Sequence, residues 1–196
     1  MEKQNTPITI YTESSPNPNS LKFVCEFALI EGNIDFPDVK SAESSPLAKG
    51  IFENFDFCER VFIAANFVTV TKSDTEEWYE IAPKVKDYIK KHLEEGKAIL
   101  SDAFKKQVED VVQMDPTEET ETIAKIKVVL DDYVRPAVEQ DGGAISFHSF
   151  NEGIVKVLLQ GSCSGCPSST ITLKSGIENL LKKMVPEVTE VVAEGV

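Results

Sequence analysis

The chain has 196 residues, a net charge of −13 at pH 7 and a hydrophobic fraction of 41%. Its length accommodates one large domain or two small ones. The acidic balance argues against nucleic-acid binding, which requires a basic surface. The absence of any run of about 18 apolar residues argues against a membrane span. Residues 1–7 contain neither a secretory apolar core nor an arginine-rich presequence, which predicts a cytoplasmic protein.

The first part of the chain predicts a small α/β domain over residues 1–95. Its clearest strand is expected to be half buried, with Phe23, Cys25 and Phe27 on the inner face and Lys22 on the outer face. A hairpin is expected to join that strand to the one before it. The other elements predicted in this domain are strands at 7–12, 60–64 and 67–72, a short helix at 45–54 with Pro46 in its first turn, and a helix that starts with a Ser73–Glu76 capping box and ends near residue 93.

Residues 96–119 are highly charged and show little periodicity, which predicts a flexible acidic linker. A second small domain is predicted over residues 120–196, in the order α-β-β-α-β. The fold class is therefore α/β (α+β), with two two-layer domains. The elements predicted in the second domain are a helix ending at Gly142-Gly143 with Ile123, Ile126, Leu130, Tyr133, Val134 and Ala137 on its apolar face and a bend at Pro136, a hairpin of strands 144–150 and 153–159, a helix from Pro167 to Pro186, and a strand at 188–193.

The most informative motif covers residues 161–169, where Cys163 and Cys166 are two residues apart between a predicted strand and a predicted helix. This spacing lets both sulfurs face one side of a tight turn. Flanking glycines allow the backbone to approach a bulky metal centre. The Cys166-Pro167 pair lies at a helix start, where the helix dipole favours thiolate over thiol.

The spacing of these cysteines leaves four interpretations open. An iron–sulfur cluster and a closed zinc site each need four ligands, so a chain with two must find the others elsewhere, most simply on a second copy of itself. A reversible Cys163–Cys166 disulfide, as in thioredoxin-like proteins, is the third interpretation. A purely structural pair is the fourth.

Other candidate side chains have simpler explanations. Cys25 is expected to pack in the core, and Cys58 is far in sequence from any other cysteine. His92 and His148 are expected to be solvated. The carboxylates of the second domain are expected to form a charged surface, and they are Asp131, Asp132, Glu139 and Asp141. Neither a Walker-type phosphate loop nor a Ser-His-Asp grouping is present in the sequence.

Two parts of the chain resemble one known family. Residues 126–143 and 155–170, with Arg135-Pro136 and the Asp141-Gly142-Gly143 sequence, resemble the C-terminal NifU-like (Nfu) domain. Residues 12–23, 45–48 and 68–72 resemble the Nfu N-terminal domain.

The resemblance implies an iron–sulfur cluster assembly and carrier protein rather than an enzyme. By carry-over, Cys163 and Cys166 are the cluster ligands. It further implies that a [4Fe-4S] cluster bridges two protomers of a homodimer, arrives from an upstream scaffold and is delivered to apo target proteins. The N-terminal domain is then expected to recruit or orient partners.

Overall fold

The computed structural model describes residues 8–101, 120–164 and 167–195, without the side chains of 167–170. The chain divides into two compact units, with the main division between residues 114 and 115.

Among its described residues, the first unit contains two α-helices and a five-stranded antiparallel sheet, in which the first and second strands in the chain are followed by the fifth, the fourth and the third. One apolar core joins the helices to the sheet, with Phe23, Val61 and Ile89 among its fully buried members. The elements are β1 (Ile10–Ser14), β2 (Ser20–Cys25), β3 (Asn33–Phe36), a 3₁₀ turn (Ser41–Ser44), α1 (Pro46–Asn54), β4 (Cys58–Ala64), β5 (Phe67–Lys72) and α2 (Trp78–Glu94). The hairpin of the first two strands and the strands predicted at 60–64 and 67–72 are confirmed, whereas β3 and the 3₁₀ turn have no counterpart in the prediction.

The two helix starts of this unit differ in how well the sequence predicts them. At α1 the prediction is confirmed, because the Ser45 hydroxyl accepts a 3.1 Å hydrogen bond from the Ala48 N–H and Pro46 occupies the first turn. At α2 the predicted capping box is wrong. The Ser73 hydroxyl instead shares a 2.8 Å hydrogen bond with the Thr75 hydroxyl, and the helix begins at Trp78 without a side-chain cap.

Strand β2 is buried on both faces, so the expectation of a half-buried strand is wrong. Lys22 is only 8% exposed, because its ammonium group pairs with Glu13 at 3.0 Å and lies 4.4 Å from the centre of the Phe67 ring. The prediction that Cys25 packs in the core is confirmed. Phe27 lies beyond the end of β2 and is exposed.

The start of the predicted linker packs with the first unit. Leu100 is buried in its core, the Ser45 hydroxyl donates to the Ile99 carbonyl oxygen at 2.7 Å, and the Ser101 N–H donates to the Ser44 carbonyl oxygen at 2.8 Å. Most of the predicted linker, residues 102–119, lies outside the described residues. The domain limits of 1–95, 96–119 and 120–196 therefore remain a prediction.

In the part of the second unit that the structure describes, a three-stranded mixed sheet with its strands in chain order packs against helices. The first two strands pair antiparallel, and the second and third pair parallel. The elements are α3 (Glu121–Val129), a π-helical turn (Leu130–Val134), α4 (Arg135–Gln140), β6 (Gly143–Asn151), β7 (Ile154–Gly161), α5 (Pro167–Met184) and β8 (Glu190–Gly195). The predicted α-β-β-α-β order is confirmed.

The π-helical turn changes which residues of the first helical segment face the core. Val134 and Val138 are buried, whereas Tyr133 is 57% exposed and Ala137 is also exposed. The assignment of Tyr133 and Ala137 to the apolar face is therefore wrong. A π turn inserts one extra residue into a helix, so each later residue is rotated away from its α-helical position. Pro136, which has no N–H to donate to a helical carbonyl, is the second residue after this turn.

The β6–β7 hairpin fixes the position of the strand that leads to the cysteine motif. Its two central residues, Glu152 and Gly153, have φ values of 49° and 83°, as a type I′ turn requires. Strand β7 then runs to Gly161, and α5 begins at Pro167 as predicted. The motif therefore occupies the connection between a central strand and the helix that leads to β8.

Candidate metal centre

The loop after β7 is tied to the turn that precedes β6. The Ser162 hydroxyl donates to the Asp141 carbonyl oxygen at 2.6 Å, and the Ser162 N–H donates to the Gly142 carbonyl oxygen at 3.3 Å. Both segments change direction at a glycine with positive φ, 85° at Gly142 and 66° at Gly161. Hydrogen bonds thus join the two chain reversals. They lie next to Gly143 and Gly161, which form the first residue pair between β6 and β7.

Cys163 is buried at this junction. It is 5% exposed and belongs to the core of the second unit, beside members such as Ile145 and Leu159. Its sulfur lies 3.9 Å from the Ser162 hydroxyl oxygen. One predicted ligand therefore has a fixed position at the end of the sheet.

The sulfur of Cys163 also lies against the backbone of Gly143. A methyl group on the α-carbon of Gly143 would come within 2.9 Å of Sγ and 2.6 Å of the Gln160 carbonyl oxygen. Real side chains do not approach other atoms so closely. The sequence singles out Gly143 as the end of a helix and as part of a family motif, but not as a neighbour of Cys163. Only its place in the β6–β7 register reveals that contact.

The second predicted ligand, Cys166, lies outside the described residues, together with Gly165. In the sequence it directly precedes Pro167, the first residue of α5. The assignment of Cys163 and Cys166 as ligands therefore stays a prediction. Thiolate ligands suit iron–sulfur clusters and zinc, so the donor chemistry of this pair fits either centre.

The remaining cysteines are poor ligands in this fold. Burial raises the pKa of the Cys25 thiol to about 11 and that of the Cys58 thiol to about 12, so both stay protonated at neutral pH. The Cys58 sulfur also lies 3.7 Å from the Arg60 carbonyl oxygen, to which its S–H can donate.

The two histidines differ from each other. His148 is exposed on β6, which confirms the expectation that it is solvated. The same expectation for His92 is wrong, because this ring is 5% exposed and its Nε2 lies 3.0 Å from the Ala98 carbonyl oxygen. An oxygen at that distance requires Nε2 to carry the proton and donate it, so His92 closes the turn after α2.

The carboxylates that the sequence singles out in the second unit form no shared metal site among the described residues. Asp131 pairs with Arg135 one helical turn away, and both side chains are largely exposed. Across the three described stretches of chain, no cluster of three or more His, Cys, Asp or Glu side chains is arranged to hold a metal ion. Within the same stretches, no helix combines the length and hydropathy needed to cross a bilayer.

Two family models match this chain, and together they cover most of it. The model described as "NifU-like domain" matches residues 126–192, and the model described as "Scaffold protein Nfu/NifU N terminal" matches residues 10–96.

Curated relatives match over nearly the full length of the chain. NifU-like protein 4, mitochondrial, of Arabidopsis thaliana is 43% identical over 97% of this chain and 68% of its own length. NifU-like protein 5, mitochondrial, of the same plant is 43% identical over 98% of this chain and 70% of its own length. The NFU1 iron-sulfur cluster scaffold homolog, mitochondrial, of Drosophila willistoni is 41% identical, with coverages of 93% and 62%.

Among solved structures, a NifU-like protein from Saccharomyces cerevisiae matches 52% of this chain and 91% of its own, at 28% identity and a TM-score of 0.46.

The described elements and the motif define a two-domain α+β protein whose second domain carries a Cys-x-x-Cys sequence between a central strand and a helix. The chain belongs to the NifU-like (Nfu) family, with an Nfu N-terminal domain followed by a NifU-like domain.

The predicted cytoplasmic location is wrong. The names of the relatives from Arabidopsis and Drosophila assign them to mitochondria, which points away from the cytoplasm. A mitochondrial presequence is removed from the mature protein and contributes nothing to its folded domains. The composition of residues 1–7 was therefore no evidence about the compartment.

Proposed function

We propose that this protein takes part in iron–sulfur cluster assembly in mitochondria, as a carrier that binds a cluster through Cys163 and Cys166 and passes it to apo target proteins. Family membership carries the proposal, since the curated Drosophila relative is named an iron-sulfur cluster scaffold homolog. The cluster is the cargo of the protein and not a resident cofactor, and no catalytic step is assigned to the chain.

The number of thiols supports a cluster shared between two chains. A [4Fe-4S] cluster takes four cysteine ligands, and the motif supplies two. Cys25 and Cys58 are unsuited to complete the set, because burial holds both thiols in the protonated state. A second copy of the chain supplies the missing pair, so the loaded form is a homodimer bridged by its cargo.

The position of Cys163 supports a firm hold on that cargo. The preceding residue, Ser162, is bonded to the turn between α4 and β6, which fixes the backbone at one ligand. The other end of the motif precedes α5, an 18-residue helix. The positive end of its dipole favours the thiolate form of a cysteine and the negative charge of a thiolate-ligated cluster.

Transfer requires only ligand exchange. A thiol of the apo target loses its proton, and the resulting thiolate forms a bond to iron while the bond from iron to Cys163 or Cys166 breaks. The released cysteine thiolate takes up a proton. Nothing is oxidised or reduced in this exchange, and repeating it moves the cluster one ligand at a time from an upstream scaffold to the carrier and onward.

Anaerobic reconstitution with iron and sulfide tests the proposal. The expected result is a [4Fe-4S] Mössbauer signature with about two irons per chain, in a species with twice the monomer mass. Cys163→Ser and Cys166→Ser should each remove the signal. The matched controls are the single variants Cys25→Ser and Cys58→Ser, which should each retain the Mössbauer signal. Binding of one zinc ion per two chains would instead indicate a shared zinc site. Disulfide-reductase turnover without any cluster would indicate a thiol–disulfide oxidoreductase.

A further inference from the structure

We propose that Gly143 is a positioning residue for Cys163. Because Gly143 has no side chain, the sulfur of Cys163 can occupy the space beside its α-carbon. The inference rests on the proposed function for its purpose, since Cys163 is there a cluster ligand. Its physical content, where the thiol lies and how reactive it is, can be measured without a cluster.

The contact itself is the first observation. A β-carbon on Gly143 would lie 2.9 Å from Sγ and 3.2 Å from Cβ of Cys163. Any larger residue at position 143 therefore has to move the cysteine. The same β-carbon would also lie 2.6 Å from the Gln160 carbonyl oxygen. This oxygen belongs to the β7 backbone and cannot swing aside as a side chain would.

The backbone conformation does not explain why position 143 is glycine. In the Asp141-Gly142-Gly143 sequence, the reversal of the chain falls on Gly142, whose φ is 85°. Gly143 has no positive φ and is the first residue of β6, where any residue could follow the strand conformation. Space beside Cys163 and β7 is what requires glycine there.

The hydrogen bonds around the loop make this space specific to one cysteine. Ser162 is 2% exposed and bonded to both Asp141 and Gly142, so the backbone of the next residue has little freedom. With the loop held from that side, the sulfur fits into the gap above Gly143. Filling this gap pushes Cys163 out of its 5% exposed position.

The test compares Gly143→Ala with Gly176→Ala and wild type, using the full-length, reduced and chelator-treated protein. Gly176 is a suitable control because an added methyl group there meets nothing within 4 Å. Alkylation of Cys163 by iodoacetamide is followed over time by peptide mapping with fragment-level localisation. We expect Cys163 of Gly143→Ala to react several-fold faster than in the other two proteins. Equal rates in a folded Gly143→Ala protein would overturn the proposal.

A second variant covers the case in which Gly143→Ala does not fold. Combining it with Cys163→Gly removes both atoms of the cysteine that the new methyl group would strike. Recovery of folding in the double variant supports the proposal. Failure to fold assigns the glycine to strand pairing at Gln160 instead and overturns it. Reconstitution of the wild-type protein tests the proposed function separately. A wild-type protein that takes up no cluster would refute that function. The alkylation rates would still decide the role of Gly143.

Discussion

The hydroxyl of Ser162 donates a 2.6 Å hydrogen bond to the carbonyl oxygen of Asp141. This bond joins the residue before Cys163 to the turn between α4 and β6, two segments that are 21 positions apart in the chain. Together with the bond from the Ser162 N–H to the Gly142 carbonyl oxygen, it restrains the cysteine loop and the turn relative to each other. Under the proposed function, Cys163 is therefore already ordered when the cluster arrives.

Ser162→Ala is predicted to lower the free energy of unfolding of the second unit by about 1 kcal/mol. The substitution removes a buried hydroxyl together with its hydrogen bond to the Asp141 carbonyl oxygen. Urea unfolding followed by amide NMR signals of β6 and β7 measures the change. Ser146→Ala, on an exposed position of the same sheet, serves as the control and should shift the midpoint little. Equal midpoints for the two variants would contradict the assigned role of Ser162.

Cys25 and Cys58 are predicted to be irrelevant to cluster loading. Their thiol pKa values of about 11 and about 12 leave almost no thiolate near neutral pH, so neither should react with iodoacetamide in the folded chain. The Cys25→Ala/Cys58→Ala double variant should therefore bind as much iron per chain as wild type, measured by colorimetric iron assay. A halved iron content would show that one of them takes part.

His92 is predicted to make the first unit less stable in mild acid. Burial, and secondarily Lys97, lowers its pKa below the ordinary 6.5, so the unfolded chain binds a proton before the folded one does. Stability should be complete above about pH 6.5 and should fall as pH drops from there towards the folded-state pKa. Fluorescence of Trp78, the single tryptophan, reports urea unfolding of this unit.

The matched variant for this prediction is His92→Gln, which keeps an N–H donor for the Ala98 carbonyl oxygen but does not titrate. The loss of stability between about pH 7.5 and about pH 5.5 should be smaller in His92→Gln than in wild type. Comparing the two proteins cancels the contribution of carboxylates that do not interact with His92. An identical pH dependence would mean that His92 does not control it.

Gly50→Ala is predicted to destabilise the first unit, because the new methyl group would overlap the hydroxyl of Tyr88 on α2. Tyr88 would have to leave its edge-to-face contact with Phe55, whose ring centre lies 5.7 Å away. Overpacking of this kind costs about 1–3 kcal/mol. Thermal unfolding checks it, and Tyr88→Phe should restore part of the loss, since the first overlapping atom is gone. The absence of any rescue would place the strain elsewhere.

Local signals in the sequence predicted much of this fold. Ser45-Pro46 starts a helix, Asn151-Glu152-Gly153 turns a hairpin and Pro167 starts α5, because each depends only on residues close in the chain. The position of the cysteine motif between strand and helix followed from these signals. The family resemblance, which the two family models support, added the functional class.

The remaining differences have two other causes, which are contacts with residues distant in sequence and an irregular helical turn. Lys22 is buried because Glu13 and Phe67 lie on neighbouring strands, and periodicity alone assigned it to solvent. Tyr133 was assigned to the core because an α-helix was assumed across the π-helical turn. The packing of Cys163 on Gly143 depends on the pairing of β6 with β7, which no short sequence pattern encodes.

The parallel pairing of β7 with β8 sets an order of events for the newly made chain. The cysteine loop and α5 form the crossover between these two strands, so the sheet around the loop is completed only after all of α5 has been made. Until β8 arrives, β7 has a bare edge and Cys163 lies in an unfinished core. Cys163 therefore reaches its folded surroundings late, after synthesis has passed well beyond the cysteine motif and the helix that follows it.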